Sequence, residues 1–308
     1  MNELLPPKNH PPPHEAINLM EAFFASKNKL TIRAYSRDLR DFQEFLNAPS
    51  LEAAAASFLG SGQGRANALA ISYKAHLIKE ELASATINRR LAALRSLVSM
   101  ARAVGVCAFP LSVEPLKVQA LRDTRGPGHE GVKRMMALLV NRTNKKARRD
   151  YALLHLLFDL ALRRGEVVSL NVEHLELVNS GLWVMGKGRT QRQRLTLPAR
   201  TKDALSAWMN ERGDKEGPLF YALDPCAYGK RLTGEGVRRV VKKLGAEIGL
   251  KVRPHGLRHA AITRALDLTR DLRKVQRFSR HHSLEMLKIY DDAREDFGGE
   301  VAGLVSQD

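Results

Sequence analysis

Gly181-Leu182-Trp183-Val184-Met185-Gly186-Lys187-Gly188, followed after a short basic connection by Gln193-Arg194-Leu195-Thr196-Leu197, is the stretch that departs from the helical rhythm of the rest of the chain. Short runs of β-favouring residues bounded by glycines read as two strands, and Lys187 sits between two glycines at the turn that joins them. On either side the apolar spacing changes to three and four. Val132 to Asn141 and Arg149 to Leu162 are helical patterns, and helices resume from the second strand to the end of the chain. This half is expected to be α+β, mostly helices with a small sheet, and the whole chain mainly α. Its most apolar stretch, Tyr151 to Leu162, is broken by His155 and Asp159, and nowhere are there the ~18 uninterrupted apolar residues that a membrane-spanning helix needs.

Working towards the N-terminus, Pro110, Pro115, Gly126, Pro127 and Gly128 accumulate where periodicity lapses, which is linker chemistry. Before them, Ile32, Tyr35, Leu39, Phe42, Phe45 and Leu46 form one apolar helix face, and similar faces run through Ala68 to Leu82 and from Ile87 to Met100. A small helical bundle without strands is expected there. The organisation is thus a Pro-rich disordered leader over 1–13, a helical domain over 14–108, a linker over 109–128, and a second domain with a C-terminal tail over 129–308. The prolines at 6, 7, 11, 12 and 13 leave no room for the apolar core of a signal peptide.

Charge narrows the partner. The chain has 50 Lys+Arg against 33 Asp+Glu, a net charge of +17 and an isoelectric point near 10.1, so its surface attracts polyanions, nucleic acid first among them. Arg33, Arg37, Arg40, Lys74, Arg89, Arg90 and Arg95 interleave with the apolar faces of the first domain, and Arg89, Arg90 and Arg95 are taken as DNA-binding candidates. Cys107 and Cys226 are too few for a disulfide framework and too far apart for a zinc cluster; a reducing cytoplasm is the simplest compartment.

Breaking a DNA strand while conserving its phosphodiester energy requires a side-chain nucleophile that holds the phosphate until another hydroxyl returns. Negative charge spreads over the non-bridging oxygens in the transition state, so two or more fixed cationic donors are needed, ideally arginines. A proton acceptor for the nucleophile and a donor for the leaving oxygen complete the set. Four segments supply these parts: Ala161-Leu162-Arg163-Arg164-Gly165-Glu166, with Glu166 one helical turn from Arg163; Gly186-Lys187-Gly188; Pro254-His255-Gly256-Leu257-Arg258-His259; and Ser279-Arg280-His281-His282 with Tyr290 nine residues beyond His281.

In this order and spacing the segments resemble the tyrosine recombinase, or phage integrase, family. The family's first box, Gly-Leu-Arg-x-x-Glu, is matched with Ala161 in place of Gly; its β-hairpin lysine by Lys187; its His-x-Leu-Arg-His box in full by His255 to His259; and its Leu-Gly-His by His281, with Ser279-Arg280 replacing Leu-Gly. The first domain is similar to the family's core-binding bundle, with Thr31, Tyr35, Leu39 and Phe42 at its start.

The resemblance implies two domains clamping double-stranded DNA, and strand cleavage through a 3′-phosphotyrosine on Tyr290. It implies Arg163, Arg258 and His281 on the scissile phosphate, Lys187 protonating the 5′-oxygen, His255 accepting the tyrosine proton or supporting the transition state, and Glu166 orienting Arg163. It also implies a homo-oligomer on DNA, tetrameric in synapsis, whose tails (here Phe297, Val301, Leu304 and Val305) dock on neighbours. Neither metal nor nucleotide is expected, since the phosphotyrosine conserves the bond energy. Only about 14 residues precede the first bundle, so no additional arm-binding domain is expected.

The competing readings are weaker on their residues. His255 and His259 are four apart as in a helical zinc site, but Gly256 stands where the metalloprotease pattern has Glu. Gly188 stands where a phosphate loop needs Ser or Thr. A type IB topoisomerase shares the chemistry but fits the His255-x-x-Arg258 and His281 to Tyr290 spacings less well. The last alternative is a helix-turn-helix DNA-binding protein built on residues 271–291, without chemistry.

Overall fold

The computed structural model describes residues 18–117, 126–186, 189–287 and 305–306. The Pro-rich leader, Lys187, Gly188, Tyr290, Phe297, Val301 and Leu304 lie outside the described residues. The chain divides into two compact units, Met1–Leu121 and Arg122–Asp308.

The first unit comprises α1 (Leu19–Ala25), α2 (Lys29–Phe45), α3 (Leu51–Gly60), α4 (Gln63–Lys79) and α5 (Ser84–Ala103). Asn18, Asn28 and Ser50 accept from backbone N–H groups in the first turns of α1, α2 and α3, satisfying donors that have no partner inside the helix. Phe23, Phe42, Phe58, Tyr73 and Leu94 interlock in one core, with Phe42 edge-on to both Phe58 and Tyr73. The segment after α5 is not free: Phe109, Leu111 and Val113 bury against the same core, and the Asn88 side chain both donates to the Leu116 carbonyl and accepts from its N–H.

The second unit opens with α6 (Gly128–Val140) and α7 (Lys145–Phe158). Every residue of α7 from Ala152 to Leu157 is buried, the mark of a helix at the centre of a core, and α6, α9 (Ala199–Arg212) and α11 (Pro254–Thr269) pack around it. A short α8 (Arg164–Val168) leads to an antiparallel sheet of β1 (Leu175–Glu176), β2 (Gly181–Met185) and β3 (Arg192–Thr196), in that order. Leu182 and Val184 face the core while Trp183 between them is exposed, as the period of two in a half-buried strand requires. Then follow α9 (Ala199–Arg212), α10 (Gly234–Glu247), α11 (Pro254–Thr269) and α12 (Leu272–Ser279).

Candidate active site

The site is assembled at the joints between helices. Continuous helix was expected through Leu162; instead α7 ends at Phe158 and Ala161 adopts a left-handed backbone with φ 45. That conformation suits glycine, and the side chain present is the smallest alternative, its methyl buried among Ile262, Leu266 and Val275. The reversal lets the chain restart as α8 with Arg163 at its N-cap. Glu166 then reaches back: one carboxylate oxygen accepts from the Arg163 backbone N–H at 2.9 Å, and the other from Arg163 Nη1 at 2.8 Å. Glu166 therefore orients Arg163 across a helix cap and not along a continuous helix.

Arg258 comes from α11, which Pro254 opens at a position where its missing N–H leaves no gap. It is 1% exposed and held by its surroundings: its guanidinium donates to the carbonyls of Ala161 and Ser279, and Nη2 lies 3.3 Å from His281 Nε2. Gly256, inside the same motif, sits so near Gly126 that a Cβ on Gly126 would fall 1.9 Å from the Gly256 carbonyl oxygen, which explains the glycine at 126. His255 is exposed at the first turn, and burial together with His255 holds His259 below its ordinary range.

After α12 the chain turns through Arg280 with φ 57 and delivers His281 to the same place. His281 Nδ1 lies 3.0 Å from Ser279 Oγ. Arg258 can only donate, so His281 Nε2 accepts and the proton of the neutral ring resides on Nδ1. Burial and then the positive charges of Arg258 and Arg163 push His281 down to about 4.

Arg280 itself was not among the expected site residues. Its guanidinium contacts Glu166 at 3.1 Å, and the two side chains are 5% and 3% exposed. Burial opposes the charge on Glu166, but Arg280 and Arg163 together hold its carboxyl below the usual carboxylate range. The signal was present in the sequence as an arginine standing where the family pattern has glycine. Arg163, Glu166, Arg258 and His281 are thus brought together, with His255 on the first turn of α11, three residues before Arg258. The sheet pairs Met185 with Arg192, so the connection that carries Lys187 leaves it at that end.

In the first unit, the outer-face placement expected of three arginines is modified. Arg90 keeps only 15% of its side chain exposed and pairs with Asp41, which also accepts from the buried Tyr73 hydroxyl. Arg95 donates to the Val113 carbonyl at 2.9 Å. Arg89 bridges to the buried Asp38 at 2.8 Å but keeps 40% of its side chain exposed. The sequence spacing could not reveal these pairings, because Asp38 and Asp41 lie on α2 and their partners on α5.

Two guanidinium groups, an imidazole and an arginine-orienting carboxylate are thus gathered near helix ends, a donor set able to stabilise negative charge on a transferring phosphoryl group. Residues 128–296 match the phage integrase family model, and residues 19–105 match the phage integrase N-terminal SAM-like domain. The chain belongs to the phage integrase family, the site-specific tyrosine recombinases, which are DNA strand-transfer enzymes. It is 44% identical over 278 residues to Tyrosine recombinase Synpcc7942_B2651 of Synechococcus elongatus, covering 88% of this chain and 87% of that one. It is 37% identical to Tyrosine recombinase slr0733 of Synechocystis sp., covering 94% and 95%. The fold also resembles XerH site-specific recombinase bound to palindromic difH substrate in a post-cleavage complex, with a TM-score of 0.66, 20% identity, and 90% and 80% of the two chains covered.

Proposed function

We propose that Tyr290 is the nucleophile and that the cluster around Arg163 and Arg258 is the cradle of the scissile phosphate. The observation that carries this reading is the convergence of Arg163, Arg258 and His281, from three separate helix joints, around the Ala161 turn. Tyr290 Oη attacks phosphorus, the bond to the 5′-oxygen breaks, and a 3′-phosphotyrosine ester forms. His255 takes the tyrosine proton or supports the transition state, and Lys187 delivers a proton to the departing 5′-oxygen. Attack by a 5′-hydroxyl on the phosphotyrosine reverses the step onto a new strand, so neither nucleotide nor metal is needed to restore the bond.

The substrate is a double-stranded recombination site. The relative bound to difH supports that assignment, as does the exposed Arg33, Arg37 and Arg40 stripe on α2. Arg89 joins it as a phosphate contact, while Arg90 and Arg95 serve mainly to hold the first unit together. The enzyme acts in the cytoplasm as a homo-oligomer, four copies bridging two sites. An apolar groove between α11 and α12, lined by Phe158, Ala261, Ala265, Leu268 and Val275, supports this assembly as the seat for the apolar tail of a second copy. The choice among integration, excision and resolution follows from the DNA site. Arg163→Ala and Arg258→Ala test the cradle: each should slow single-turnover cleavage of a suicide substrate by at least ~10²-fold, the scale for one preorganised donor to a developing oxyanion. Lys should restore little, because a point charge cannot span two phosphate oxygens. Near-normal cleavage by either Ala variant would remove that arginine from the cradle.

A further inference from the structure

Two of the three positions at which this chain departs from the family motifs touch each other. Ala161 and Arg280 each stand where the pattern has glycine, each holds a left-handed backbone, and Arg280 Nη2 donates to the Ala161 carbonyl at 3.2 Å. A long cationic side chain at a left-handed position is disfavoured by the backbone, and burying its charge costs more still. Here both terminal nitrogens are used, while Nε is buried without a hydrogen-bond partner among the described residues. Nη1 donates to the Leu160 and Phe278 carbonyls at 3.1 Å each, and Nη2 also reaches Glu166 Oε2 at 3.1 Å. With 5% of its side chain exposed and its fork turned inward, Arg280 is not placed to touch DNA.

The consequence is electrostatic. A carboxylate paired with Arg163 alone would form a neutral couple, and the field of Arg163 at a bound phosphate would be largely cancelled. With Arg280 on the other oxygen, the group of three carries one net positive charge, and its solvent-facing member is Arg163, whose side chain is 30% exposed. The same guanidinium fastens the end of α12, and hence the residue before His281, to the turn that carries Arg163.

We propose that Arg280 is a positioning residue of this recombinase, which satisfies Glu166 from behind so that Glu166 fixes Arg163 without neutralising it. The inference rests on the reading of Arg163 as a phosphate-holding residue. Arg280→Gly is the clean probe, because glycine accepts the φ of 57 and only the side chain is removed.

Arg280→Gly should bind a single site as the wild type does but cleave a suicide substrate about 10- to 100-fold more slowly, the scale for losing a group that orients a ligand-holding side chain. Arg280→Lys should recover part of the rate. In a Glu166→Gln background, Arg280→Gly should add little further loss, since both act through one carboxylate. A pH profile reads out the same carboxylate. Glu166 faces Arg163 from the start of α8 and Arg280 from the end of α12, with Arg258 and His281 beyond them. With Arg280 gone, burial works against one arginine instead of two, so the acid-side fall in cleavage moves to higher pH, and this shift vanishes when Glu166 is Gln. Should Arg280→Gly not fold, Arg280→Gln, which keeps the bulk and loses the charge, is measured in the same way. Additive losses in the double variant, or wild-type cleavage by Arg280→Gly while Arg163→Ala is inactive, would overturn the proposal. Wild-type cleavage by Arg163→Ala would instead overturn the reading on which it rests.

Discussion

Acidification should destabilise the second unit through one imidazole. His281 is buried, accepts from Arg258 through Nε2, and faces Arg163, His255 and Arg280 as well, so a proton on its ring meets positive charge on every side. Its pKa falls from 6.5 to about 4. Between those values the unfolded chain binds a proton that the folded chain refuses, so stability falls as pH drops from 6.5 towards 4 and levels off below. The shift amounts to about 3 kcal/mol at its full extent, each unit being worth ~1.4 kcal/mol. Both tryptophans, Trp183 and Trp208, lie in the second unit, so tryptophan fluorescence in urea follows that unit alone. His281→Gln supplies the reference, because carboxylates contribute equally to both proteins. The difference in unfolding free energy between wild type and variant should change by about 3 kcal/mol between pH 7 and pH 4, and the His281 ring should titrate near 4 by NMR. Parallel stability curves, or a ring titrating near 6.5, would refute the buried, cation-flanked account of His281. A bound phosphate reverses the local field, so site binding near pH 5.5 should draw in a proton, visible as a buffer-dependent binding enthalpy.

Lys187→Ala should cleave poorly an ordinary substrate but recover selectively on one with a 5′-bridging sulfur, which leaves without a proton; equal impairment on both substrates would remove Lys187 from the acid role. In the first unit, Asp41→Ala strands the Tyr73 hydroxyl and the Arg90 guanidinium, and thermal melts should show a loss of about 2 kcal/mol, against ~1 kcal/mol for Tyr73→Phe. Cleavage and religation should persist in excess EDTA without nucleotide, and a strict magnesium requirement would point to hydrolytic nuclease chemistry instead.

The parts of the fold that were legible in the sequence are those where one periodicity dominates. β2 was read over the residues it occupies, because Leu182 and Val184 alternate with Trp183, whereas β3 begins one residue earlier than read, since its exposed Arg192 carries no apolar signal. The helix α3 was not singled out: Ala53 to Ala56 give no contrast between its faces, and Phe58 and Leu59 fix it only through packing. The site motifs were legible as residue types at set spacings, and the structure gathers Arg163, Glu166, Arg258 and His281 as those motifs imply. What escaped the sequence were the joints. That the chain breaks after Phe158 and restarts at Arg164 depends on a left-handed Ala161, which no propensity favours. That Arg280 turns inward and Arg90 pairs with Asp41 depends on partners 114 and 49 residues away.

The assignment of Tyr290 as nucleophile is tested most directly by the identity of the covalent link to DNA. Wild-type protein trapped on a nicked suicide substrate, digested and sequenced by mass spectrometry, should yield a single nucleotide-bearing peptide with the modification on Tyr290, and Tyr290→Phe should bind the same DNA yet form no adduct. An adduct mapped to any other side chain, or one that persists in Tyr290→Phe, would contradict it.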